Sequence, residues 1–88
     1  MYRTQTGELR TRGDLEEAAI PFILNNLTHE ELALSQVNME CHNIQTDLGW
    51  TRAVKQKMRD NDAENLAGVY ADNATDEYLT GLVGWESE

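Results

Sequence analysis

Apolar residues recur along this chain in helical steps, separated by short polar groups of the kind that start and stop helices. Asp14 follows Gly13 and precedes Leu15-Glu16-Glu17, a capping-box-like start for a helix from about Asp14 toward Asn26. Its apolar content is Ile20, Phe22, Ile23, Leu24 and Leu27, and Pro21 removes one backbone donor, so a kink near 17–21 is expected. Thr28-His29-Glu30-Glu31 is the clearest local signal. The Thr28 hydroxyl can cap the Glu31 amide, Glu31 can reach back to the Thr28 amide, and Leu27 and Leu32 can form a hydrophobic staple.

The segment that follows places Leu34, Val37, Cys41, Ile44 and Leu48 at steps of 3, 4, 3 and 4, one apolar seam with a heptad period. After Leu48 the register is lost, and Trp50, Val54 and Met58 offer another stripe. Two readings compete: a helix running from 28 to about 59 through Gly49, or a break near Asp47-Leu48-Gly49 and a restart. Without a Pro or a strong turn pair, continuity is favoured. Asp60-Asn61-Asp62 then ends one helix and starts another over 62–71, with Leu66, Val69 and Tyr70 on its apolar face. A last helix over 75–84 carries Tyr78, Leu79, Leu82 and Val83, weakened by Gly81 and Gly84. Residues 2–12 alternate loosely around Gly7 and suggest a short hairpin or an irregular arm. Glu86-Ser87-Glu88 is expected to fray.

The expected architecture is therefore mainly α. It is a small bundle of three to five helices around a long central helix, with an N-terminal β-hairpin or arm. The chain reads as a single domain, 1–13 the arm and 14–86 the helical body. A chain of 88 residues builds only a modest core, and its 40% hydrophobic content suffices for one. A single cysteine forms no internal disulfide. MYRTQTGELR lacks the apolar run of a signal peptide, and no stretch approaches the ~18 apolar residues of a membrane span. The expectation is a soluble cytoplasmic protein, and the two Asn-X-Thr sequons at Asn26 and Asn73 are read as chance.

Charge changes the picture most. Arg3, Arg10 and Arg12 lie in the arm, and Arg52, Lys55, Lys57 and Arg59 within eight residues of one another. Residues 13–51 carry seven carboxylates and 60–88 carry eight, with no Lys or Arg before Arg52 or after Arg59 in those segments. The net charge of −9 is segregated, and such a field can steer a charged partner. It repels nucleic acid and anionic membranes, so neither is expected as a direct partner. The band at 52–59 reads as a solvated helix face paired with nearby carboxylates.

No constellation passes as a reaction centre. Asp60, Asp62 and Glu64 alternate as in a calcium loop, but the sixth and twelfth positions are Asn65 and Ala71 instead of Gly and Glu. His29, Cys41 and His42 are too few for a zinc site, and Cys41 reads as a core residue of the seam. Glu16/Glu17, Glu30/Glu31 and Asp76/Glu77 each suit a first helical turn. No enzymatic activity, cofactor or metal is expected.

What remains is an interaction protein. Size, charge and helix content make the chain resemble DNA-mimicking inhibitors, including small phage-encoded anti-restriction and anti-CRISPR proteins. The resemblance is compositional, with no motif behind it, and transfers no functional residues. It implies a protein partner with a basic surface, such as one that binds nucleic acid. The candidate contact residues, chosen from helix starts, turns and aromatic anchors, are Glu30, Asp62, Glu64, Asp72, Asp76, Glu77, Tyr78 and Trp85, with Trp85 expected to be the most exposed aromatic. Two alternatives stay open: an assembly subunit that self-associates through its helices as a homo-oligomer, and an acidic domain whose charge only keeps it dispersed.

Overall fold

The N-terminal segment turns back on itself at Gly7, whose φ of +86° is a conformation that side chains strain. Strands β1 (Tyr2–Arg3) and β2 (Leu9–Arg10) pair antiparallel, Tyr2 opposite Arg10. The expected hairpin is present, but the expected frayed tail is not. Glu86–Ser87 forms β3 on the other edge of β1, Arg3 opposite Glu86, and the Glu88 amide donates to the Met1 carbonyl at 3.0 Å. A two-stranded hairpin is marginal by itself, and the third strand occupies its open edge. The computed structural model describes residues 1–40 and 47–88.

Five helices account for most of the remaining described residues. Helix α1 (Arg12–Asn26) starts at Thr11, not at Asp14 as its sequence suggested. The Thr11 hydroxyl accepts from the Asp14 amide at 3.2 Å, and the Asp14 carboxylate accepts from the Thr11 amide at 3.2 Å. Asp14 is thus the third helical residue of a capping box, and the threonine upstream takes the cap. Pro21 lies on the exposed side of α1 and does not end it. Helix α2 (His29–Glu40) has the box foreseen at its start, with 3.1 Å from the Glu31 amide to the Thr28 hydroxyl and 2.9 Å from the Thr28 amide to Glu31. Helix α3 (Asp47–Asp60) runs through Gly49. Asp62 caps α4 (Ala63–Asn73) and Thr75 caps α5 (Asp76–Val83), so capping is what Asp62 does, whereas Asp60 ends α3 and accepts from the Gln56 side chain at 2.9 Å.

The single central spine is corrected. His29, at the start of α2, meets the Asn61 carbonyl beyond the end of α3 at 2.8 Å. Near the other ends, the Trp50 indole donates to the Asn38 side chain at 3.0 Å. Helices α2 and α3 therefore lie antiparallel, side by side. The proposed continuity between them, and Cys41, His42 and Ile44, fall at 41–46, outside the described residues. Of the seam, Val37 is buried, Leu34 half-buried, and Leu48 is 62% exposed. The competing stripe is the one that packs: Val54 is buried, with Trp50 and Met58 half-buried around it.

The core joins Leu15, Ala19 and Ile23 of α1 to Leu32, Ala33 and Val37 of α2, Leu66, Ala67 and Ala71 of α4, and Leu79 of α5. Val69, assigned to the inner face of α4, is instead 37% exposed, and Ala67 and Ala71 take that face. Small residues there let α1 and α4 approach closely, the most extensive helix contact of the fold. In order, α5 packs on α1, α1 on α4, α4 on α2 and α2 on α3, so α3 is an edge helix. No helix among the described residues is long and apolar enough to cross a membrane.

Candidate interaction surfaces

Arg12 organises the junction of the arm, α1, α4 and α5. Its guanidinium donates to the carbonyls of Ala71 at 3.1 Å and Ala74 at 2.6 Å, at the C-terminal end of α4. The Ala71 carbonyl also accepts from the Ala74 amide at 3.2 Å, and both carbonyls lie at the negative end of the helix dipole, so a cation there is favoured. The same guanidinium pairs with Asp76 and approaches Glu16, one turn along α1, at 3.9 Å. The hydrogen bond from the Tyr2 hydroxyl, reinforced by Arg12, holds the Asp76 carboxyl below the ordinary carboxylate range. Glu16 is pushed the other way, first by burial and then by the carboxyl of Asp72 within hydrogen-bond reach.

The eight candidate residues are not one cluster, and each has a distinct place. Asp76 is exposed at the surface but committed to Arg12 and Tyr2. Asp62 is exposed but accepts from the Asn65 amide at 2.7 Å as the α4 cap. Glu30, Glu64, Asp72 and Glu77 are exposed, and none has an ion pair among the described residues. Tyr78 is 38% exposed and meets Tyr70 edge-to-face, ring centres 6.0 Å apart. Trp85, expected at the surface, is half-buried against the core, because β3 folds its end of the chain onto β1.

Two grooves were not foreseen. One, of about 330 Å³, runs between α2 and the α4–α5 turn, with Leu32, Met39, Tyr70 and Tyr78 as its apolar lining. Met39 is 44% exposed at its edge. The signal was diluted in the sequence, since Met39 and Tyr78 are 39 residues apart and only the α2–α4 packing joins them. The second, of about 360 Å³, lies between α2 and α3 and is lined by Leu34, Trp50, Val54 and Met58, with Glu30 and Lys55 at its rim.

The basic band departs from its expected pairing. Lys57 does pair, with Glu40 at 2.6 Å, and that contact and Gln36 hold the Glu40 carboxyl low. Arg52, Lys55 and Arg59 line one exposed surface of α3 and have no ion pair among the described residues. No group of three His, Cys, Asp or Glu among the described residues could hold a metal ion. No family model, no curated protein and no solved structure matches the chain.

Proposed function

We propose that the protein is an acidic interaction module that binds a basic surface of a partner protein and so blocks or regulates it. One observation carries the reading. Of the eight carboxylates at 60–88, only Asp76 and Glu88 have an ion pair among the described residues, to Arg12 and Arg3. Asp62 caps α4, Asp60 accepts from the Gln56 side chain at 2.9 Å and Asp72 lies within hydrogen-bond reach of Glu16, but Asp60, Asp62, Glu64, Asp72, Glu77 and Glu86 are exposed and have no ion pair among the described residues. Charge left uncompensated on rigid helices is charge preorganised for a partner's Lys and Arg. Asp72 and Glu77 also lie close in sequence to Tyr70 and Tyr78, which adds apolar contact to the charged surface. If the partner's basic surface is a nucleic-acid site, these carboxylates stand in for backbone phosphates.

The test is affinity capture from the source cell on the immobilised chain, followed by kinetic binding to the purified partner. Binding should weaken steeply with salt, slow in association when Glu64 and Glu77 become Lys, and be displaced by duplex DNA. Salt-independent binding, unchanged by those substitutions, would overturn the reading.

A further inference from the structure

We propose that α3 carries a docking surface for the acidic α4–α5 side of a second copy of this chain. Three observations converge on it. First, among the described residues α3 packs extensively on α2 alone, and Arg52, Lys55 and Arg59 of its other side are exposed. Second, Arg52, Lys55 and Arg59 follow at i, i+3 and i+7, on one side of the helix. They remain unpaired among the described residues although the chain has 16 carboxylates and seven Lys and Arg. Third, the stripe borders the Leu34–Trp50–Met58 groove, with Lys55 on its rim. An apolar trough beside unpaired cations fits an acidic surface with an apolar element, not a polyanion alone.

The α4–α5 side has that chemistry. Asp72 and Glu77 are exposed and without ion pairs among the described residues, and the half-exposed Tyr78 follows Glu77 directly. Among the described residues α3 makes no extensive contact with α4 or α5, so a second copy is what can bring the two surfaces together. The inference shares its acidic side with the proposed function. Its test uses the purified chain alone, so the two can fail separately.

Net charge of −9 on each copy opposes association, and screening decides which effect wins. At ionic strength ~0.01 M, fields reach ~30 Å, and whole-molecule repulsion dominates. At ~0.15 M they reach ~8 Å, so a contact feels only its facing charges. At ~1 M the reach of ~3 Å removes the attraction as well. Association should therefore pass through a maximum near physiological salt.

Sedimentation equilibrium of the full chain at those three salt levels tests this. The expected result is a mass above the 10.0 kDa monomer at intermediate salt, rising with concentration. Arg52→Glu with Lys55→Glu should weaken association about tenfold or more, and so should Asp72→Lys with Glu77→Lys. All four changes in one chain should restore it, because the facing charges are exchanged. Circular dichroism checks folding, and Lys55→Ala with Arg59→Ala gives a milder variant expected to weaken association if a reversal unfolds the chain. A monomer at every salt level, association unaffected by these variants, or no recovery in the four-fold exchange overturns the proposal. So does a monomer whose stripe binds only a single-stranded oligonucleotide.

Discussion

Arg12, the first residue of α1, and Asp76, the first residue of α5, form an ion pair directly beside the C-terminal carbonyls of α4. One side chain thus joins three helix ends, and the Tyr2 hydroxyl brings the β-sheet to the same point. The arrangement explains why an acidic chain keeps an arginine here: α4 has no basic residue in its own last turn, and Arg12 supplies the missing cation from another helix.

Replacing Arg12 by Ala should destabilise the fold by about 1–2 kcal/mol, the scale for charge-assisted hydrogen bonds at a partly exposed site. Arg12→Lys should recover only part of the loss, because an ammonium cannot reach two carbonyls and a carboxylate in one plane. Urea denaturation measures both. A change under about 0.5 kcal/mol for Arg12→Ala would remove Arg12 from this role.

Acid should weaken the protein through Asp14, Asp76 and Glu40, whose carboxyls are all held low, by Thr11, by Tyr2 with Arg12, and by Lys57 respectively. A carboxyl lowered on folding stabilises fully above its unfolded value, and that stability is lost as pH falls through its folded value. Glu16 has the opposite sign. Raised by burial and by Asp72, it favours folding below its unfolded value of ~4.3, and the advantage disappears as pH rises through its folded value. Glu16→Gln should therefore gain stability relative to the parent as pH rises from below ~4.3 through the folded value of Glu16. Thermal melts across that range check it, and a gain independent of pH would show that the Glu16 carboxyl is not raised on folding.

Both capping boxes should be worth measuring separately. Thr11→Ala and Thr28→Ala should each cost ~1 kcal/mol, the usual loss of an N-cap oxygen. If Asp14 were the cap of α1, Thr11→Ala would be close to neutral.

Two glycines of the last helix should respond in opposite directions. Gly81 lies in the interior of α5, and a Cβ there meets nothing within 4 Å, so Gly81→Ala should stabilise by roughly 0.5–1 kcal/mol. Gly84 has φ +75°, and a Cβ there would stand 2.5 Å from the Gln5 amide nitrogen. Gly84→Ala should destabilise by about 1–2 kcal/mol, the left-handed penalty, with some loss of β3 pairing. Amide exchange at Glu88 would report that pairing.

Local chemistry was mostly legible in the sequence where both partners lay within one turn, the exception being α1, whose cap is Thr11 and not Asp14. The Thr28–Glu31 box, the hairpin at Gly7, the starts of α4 and α5 and the helical character of the chain all follow from residues a few positions apart. The segregation of charge and the exposure of Glu64, Asp72 and Glu77 were equally readable, because charged side chains avoid burial unless paired. Periodicity could not say which apolar stripe faces the core. It favoured Leu48, which the structure leaves exposed, over the stripe through Val54, because the antiparallel pairing of α2 with α3 leaves no mark in a heptad pattern. Only tertiary structure placed the tail against β1, buried half of Trp85, drew Asp76 to Arg12 and left Arg52, Lys55 and Arg59 of α3 without ion pairs among the described residues. Each of these depends on groups brought together across the chain, 64 residues in the case of Arg12 and Asp76, and such a meeting is decided by how the helices share their apolar faces.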